Sequence, residues 1–177
     1  MRVSRLFRTN GFTLVEMMIV LAIVAILVGI GLPSFNDSVR DKRLSALTSE
    51  FISAVYVARN ESLTRRKEIS LKPKISGRWQ SGWTISDDID AKILHEYTNP
   101  NAETMQVLDK TSHAPLAVTA FKFKPNGQVT NAANVSLGEV EFYICDDRSR
   151  EIGRTLKLSP FGTLQNELNK SAADCNP

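Results

Sequence analysis

Apolar side chains fill the stretch from Met17 to Leu32 without a break, then recur by threes and fours at Leu44, Leu47, Phe51, Val55 and Ala58. The first pattern is apolar all round and the second is a stripe, with Arg40, Lys42, Arg43, Glu50 and Arg59 mostly elsewhere on the wheel. One helix is therefore expected from Phe12 to about Arg66. A helix rises ~1.5 Å per residue, so Phe12 to Leu32 is long enough for a hydrocarbon layer of ~30 Å. Between the two patterns Gly29, Gly31 and Pro33 fall close together, and Pro33 deletes the bond to the Gly29 carbonyl while crowding Leu32. A helix bend is expected there.

Beyond Lys67 the period changes to two. Ile69 and Leu71 alternate with polar residues before Pro73, and Trp83-Thr84-Ile85 follows Gly82. Phe121-Lys122-Phe123-Lys124 reads as a strand running into the turn Pro125-Asn126-Gly127. Val140 to Cys145 and Arg154 to Ser159 read as an antiparallel pair closed by Pro160-Phe161-Gly162. Residues 87–117 read as a long variable loop with one or two edge strands. The fold class is α+β, a long N-terminal helix packed on antiparallel β-sheet.

The chemistry of the apolar run turns on Glu16. A carboxylate carried into lipid costs at least about 2.5 kcal/mol, so it calls for a dedicated partner. No cation lies on the run itself, and a positive group on another copy of the chain is the natural candidate. Residues 1–11 carry Arg2, Arg5 and Arg8 and no acid, which keeps that end cytoplasmic and sends the bulk of the chain across. Catalytic signals are absent: there is no Gly-x-Ser-x-Gly, no phosphate-cradling loop and no histidine constellation. Neither an enzyme nor a cofactor is expected. His95 and His113 have no ligand-like companions, and Asp87-Asp88-Ile89-Asp90 lacks the order of a calcium loop.

Gly11-Phe12-Thr13-Leu14-Val15-Glu16 behind a basic leader resembles the class III signal of type IV prepilins and type II secretion pseudopilins. The resemblance implies a prepilin peptidase that cuts between Gly11 and Phe12 and methylates the new Phe12 amine. Glu16 then becomes the fifth residue of the mature chain and pairs with the Phe12 ammonium of a neighbouring subunit. A proline at the place of Pro33 recurs in that family and marks a bend or a segment that melts on assembly. Without the leader, 22 Lys+Arg become 19 against 19 Asp+Glu, so the basic pI of the full chain says nothing about nucleic acid. Calcium in some pseudopilins keeps the Asp87 to Asp90 loop open as an alternative to a solvated turn.

Ala58-Arg59-Asn60-Glu61-Ser62, the tryptophans Trp79 and Trp83, and Phe123-Lys124-Pro125-Asn126-Gly127 narrow the resemblance to the branch called GspH, FimT or FimU. That branch implies two sheets. The expected organisation is a leader over 1–11, a transmembrane and filament-core helix over 12–35, and a periplasmic globular domain over 36–177 whose helix half runs to about 66. Implied partners are other minor pilins and a major pilin, the prepilin peptidase and the inner-membrane assembly platform. The location is the bacterial inner membrane, crossed once, and then the filament.

Three functions follow from that resemblance. The first is a minor pilin that primes a type IV pilus and sits in its tip complex; the second is the minor pseudopilin of a type II secretion system. The third is DNA capture through Arg148, Arg150, Arg154 and Lys157, although the Gly-Arg-x-Arg pattern of DNA-binding relatives is missing from Gly153-Arg154-Thr155-Leu156-Lys157. Cys145 and Cys175 are the two cysteines of the chain, and in an oxidising periplasm such a pair joins.

Overall fold

The structure is a computed structural model that describes residues 11–148, 153–168 and 175, with backbone alone at 28–34 and 103. The leader with Arg2, Arg5 and Arg8, and Arg150 of the basic group, lie outside the described residues. A single long helix, α1 (Leu14–Arg65), precedes nine strands among the described residues. These are β1 (Ile69–Pro73), β2 (Gly82–Asp87), β3 (Lys92–Thr98), β4 (Met105–Asp109), β5 (Phe121–Phe123), β6 (Val129–Thr130), β7 (Val140–Asp146), β8 (Gly153–Leu158) and β9 (Leu164–Leu168). They form two antiparallel sheets, ordered β3-β2-β1-β5-β6 and β4-β7-β8-β9. The α+β class and the two-sheet arrangement are those expected.

The chain divides into two compact units, Met1–Val39 and Arg40–Pro177. In the first, Thr13 starts α1: its Oγ1 accepts the Glu16 N–H at 3.2 Å and its carbonyl accepts the Met17 N–H at 3.2 Å. Every residue from Phe12 to Leu27 is exposed. The helix continues through residues 28–34, where the side chains of Gly29, Gly31 and Pro33, the expected bend, lie outside the description. Among the described residues no helix is long and apolar enough to cross a membrane. The described apolar side chains end at Leu27, and 16 residues rise only about 24 Å, short of the ~30 Å that the expected span to Leu32 would cover.

The second unit is built on the buried stripe of α1. Leu44, Leu47, Phe51, Ala54, Val55 and Ala58 step by threes and fours and are each at most 6% exposed. Phe51 is the hub. Its ring meets Trp79, Trp83, Phe121 and Phe142 edge to face, with centroids 5.7, 5.2, 6.4 and 5.3 Å away, and so joins both sheets to the helix. Such edge contacts add about 0.5–1.5 kcal/mol each beyond burial. Both tryptophans are thus core residues, and the Trp79 indole N–H is satisfied by the Val118 carbonyl at 2.7 Å. The helix ends at Arg66, whose φ of 55° turns the chain into β1.

Residues 87–117 supply an edge strand to each sheet, β3 to one and β4 to the other. Gly82 makes the first of these edges close: a side chain there would come within 2.2 Å of the Tyr97 carbonyl oxygen, and its φ is 112°. The strand pair Val140 to Cys145 and Arg154 to Ser159 is seen as β7 and β8, with Val140 opposite Leu158 and Ile144 opposite Arg154. Two strands go beyond the expectation: the two-residue β6, which follows the Pro125-Asn126-Gly127 turn and pairs with β5, and β9. The sequence pattern ends the sheet at Ser159, whereas the chain turns at Pro160-Phe161-Gly162 and returns as β9 against β8. Gln165-Asn166-Glu167 carries no alternation because β9 is an edge strand exposed along nearly all its length.

Candidate assembly surfaces

The N-terminal surface starts at Gly11 and Phe12. Phe12 is 72% exposed, and nothing lies within 4 Å of where a side chain at Gly11 would sit. Thr13-Leu14-Val15-Glu16 has the Thr-x-x-Glu spacing of a capping box, and its first half is formed by the Glu16 N–H on Thr13. Sequence reasoning treated Glu16 only as a buried-charge problem and missed this local role, although the spacing was in plain view. The Glu16 carboxylate lies in the first turn, at the positive end of the helix dipole, and among the described residues it makes no ion pair. Local structure therefore leaves it available to a cation from another chain.

Among the described residues, Arg148, Arg154 and Lys157 of the basic group do not share one face. Arg148 is 8% exposed in its side chain, with Nε donating to Asp146 Oδ2 at 2.7 Å and a terminal nitrogen donating to Asp41. Burial works against its charge, but the hydrogen bonds and charges of Asp146 and Asp41 outweigh it and raise its pKa further. Beside it Arg40 pairs with Asp147, so two ion pairs clasp the base of the second unit's helix to the end of β7. Arg154 and Lys157 are three residues apart on β8 and so point to opposite faces. Lys157 sits 3.8 Å from Glu141, which also takes Lys110. The sequence placed these cations together by their proximity along the chain, and strand geometry separates them.

The acidic turn after β2 is internally balanced. Asp87 accepts the Ile89 N–H at 2.9 Å and lies 3.4 Å from Lys67; Asp88 takes Lys72 at 2.8 Å and Lys122 at 3.4 Å, and Asp90 also takes Lys67. Among the described residues no group of three ligating side chains could hold a metal ion. Burial pushes the Asp87 and Asp88 carboxyls up, yet both are held below the usual carboxylate range. For Asp87 the opposing causes are the Ile89 and Asp90 N–H groups and Lys67; for Asp88 they are Lys72, Ser70 and Lys122.

A group whose folded pKa is depressed contributes stability above its unfolded pKa and loses it as pH falls through the folded value. The thermal midpoint should thus hold from neutrality to about pH 4 and fall below it, where free carboxylates begin to protonate. Asp88→Asn should flatten that fall. A melting series from pH 7 to 2 checks this, and identical slopes for variant and parent would refute it.

Cys145 and Cys175 form a disulfide, with Cα atoms 5.5 Å apart. Cys145 alternates with Phe142 and Ile144 of the main core, so it faces the far side of its sheet. There the bridge, Leu108 and Tyr143 make a second, smaller buried cluster.

Comparison with known proteins gives these surfaces their context. The family model "Prokaryotic N-terminal methylation motif" matches residues 6–32, and the model "Type II transport protein GspH" matches residues 47–162. A "Fimbrial protein" of Pseudomonas aeruginosa is 37% identical over 83 residues, 46% of this chain and 53% of that one. The "Type IV major pilin protein PilA" of Myxococcus xanthus (strain DK1622) is 36% identical over 95 residues, 49% of this chain and 41% of that one. The chain thus spans about half the length of the relatives it matches. The fold is that of the type IV minor pilin FimU of Pseudomonas aeruginosa (strain PAO1), with TM-score 0.58 and 23% identity over 74% of this chain and 96% of that one. The GspH match covers more than half of the chain, the methylation motif precedes it and the two-sheet fold agrees: the chain belongs to the GspH family.

Proposed function

We propose that this protein is a minor pilin, a structural subunit that primes assembly of a type IV pilus and sits in its tip complex. The observation that carries the reading is the exposed, largely apolar stretch from Phe12 to Leu27, helical from Leu14, on a chain whose second unit has its own core. Among the described residues its Glu16 carboxylate has no ion-pair partner, which suits a contact with another subunit. Such an apolar surface needs cover, first by lipid of the inner membrane and then by other pilins. The prepilin peptidase acts between Gly11 and Phe12, an inner-membrane platform feeds the chain into the filament, and the segment with Gly29, Gly31 and Pro33 accommodates the bend. The matched model's own description supports a second reading within the same class, the minor pseudopilin of a type II secretion system.

Deleting the gene and counting surface filaments tests priming. Loss of filaments with the major pilin still made supports it, and unchanged filament number overturns it. Processing is tested by Gly11→Val. Nothing crowds that position, so valine leaves the fold intact and blocks only the peptidase. An uncut, membrane-held precursor is expected by intact-mass analysis. A parent chain whose mature form begins anywhere other than Phe12 would refute the assignment.

A further inference from the structure

Arg59 of the run Ala58 to Ser62 is half-buried, and the fold leaves part of its guanidinium without a partner. Its Nε is shut off from solvent and has no hydrogen-bond partner among the described residues. Glu61, the acid two residues on, pairs with Arg65 instead. Arginine keeps its proton in proteins, so the charge persists.

The turn after β8 is shaped around this side chain. Gly162 has φ 71°, and a Cβ there would lie 3.0 Å from Arg59 Cδ, so only glycine lets the arginine stem lie across the turn. Tyr56, Arg59 and Leu63 follow one another by three and four and share a flank of α1. Tyr56 is 40% exposed, Leu63 41%, and Phe161 beside Gly162 58%. Arg59 thus shares a helix flank with the exposed Tyr56 and Leu63, and its stem lies against the turn that carries the exposed Phe161.

We propose that this flank receives a neighbouring filament subunit, and that Arg59 pairs there with a carboxylate of that subunit. The inference rests on the assembly reading above. Charge complementarity selects the occupant: a planar guanidinium matches a carboxylate, and the apolar rim would exclude water from the pair.

The test uses the full chain in cells, with Leu63 replaced by a photo-cross-linking residue. Irradiation should join it to another pilin subunit at a peptide containing Asp or Glu. Adding Arg59→Gln should cut that adduct at least tenfold and leave the thermal midpoint unchanged or higher, since no internal partner is lost; Arg59→Lys should restore part of the adduct. An undiminished adduct in Arg59→Gln, a lowered midpoint, or an adduct with nucleic acid or lipid overturns the proposal. The same holds for the absence of any adduct while the chain still enters filaments. If the parent never enters filaments, the assembly reading fails and this inference falls with it.

Discussion

Glu16→Ala will be processed and inserted like the parent but will not enter filaments. The substitution removes the cost of carrying a carboxylate into lipid, so insertion should be at least as good. It also leaves the helix start in place. Thr13 accepts the backbone N–H of residue 16, which alanine keeps, and the lost interaction with the helix dipole is worth at most about 1 kcal/mol at an exposed site. What disappears is the pairing proposed for it, with the Phe12 ammonium of an adjacent subunit. Leaving one charge of such a pair without its partner in an apolar surround costs about 3–5 kcal/mol, or roughly two to nearly four orders of magnitude in incorporation. Glu16→Gln should fail almost as badly, because it keeps the shape and loses the charge. The measurement is an immunoblot of sheared filaments against membrane fractions, with intact mass confirming cleavage. Normal incorporation of either variant would show that Glu16 is not the intersubunit partner.

Periodicity made most of this architecture legible. The stripe from Leu44 to Ala58 was enough to place the helix on sheet, because an amphipathic helix of several turns must lay its apolar face on the core. The strands that alternate, β1, β2, β5, β7 and β8, were readable for the same reason. The edge strand β9 was not: it buries almost nothing, so its sequence was free to be polar. The surfaces were harder still. Proximity in sequence joined Arg148 to Lys157, whereas β-strand alternation and the ion pair from Arg148 to Asp41, 107 residues away, divide them. Arg59 reads from sequence as part of a solvated helix face or as a neighbour in a filament interface, and no pattern along the chain announces that Gly162, about a hundred residues on, lies against its stem.

Double replacement of Cys145 and Cys175 by serine should lower the thermal midpoint of the chain from about residue 36 onward by about 10 °C. The bridge closes a sequence separation of 30 residues. In the chain-entropy account a loop of that length is worth about 4 kcal/mol, and for a domain of this size each kcal/mol shifts the midpoint by roughly 3 °C. Burial cannot make up the loss. Among the described residues the cluster around the bridge holds Leu108 and Tyr143 besides the two cysteines, and β9, the described strand leading toward Cys175, is exposed along nearly all its length. The main core around Phe51 lies on the opposite side of the sheet, so the domain should still fold. Non-reducing peptide mapping of periplasmic protein must first find the bridge. Two free thiols, or a double variant that melts with the parent, would mean that contacts other than the disulfide hold the carboxyl-terminal segment against β7.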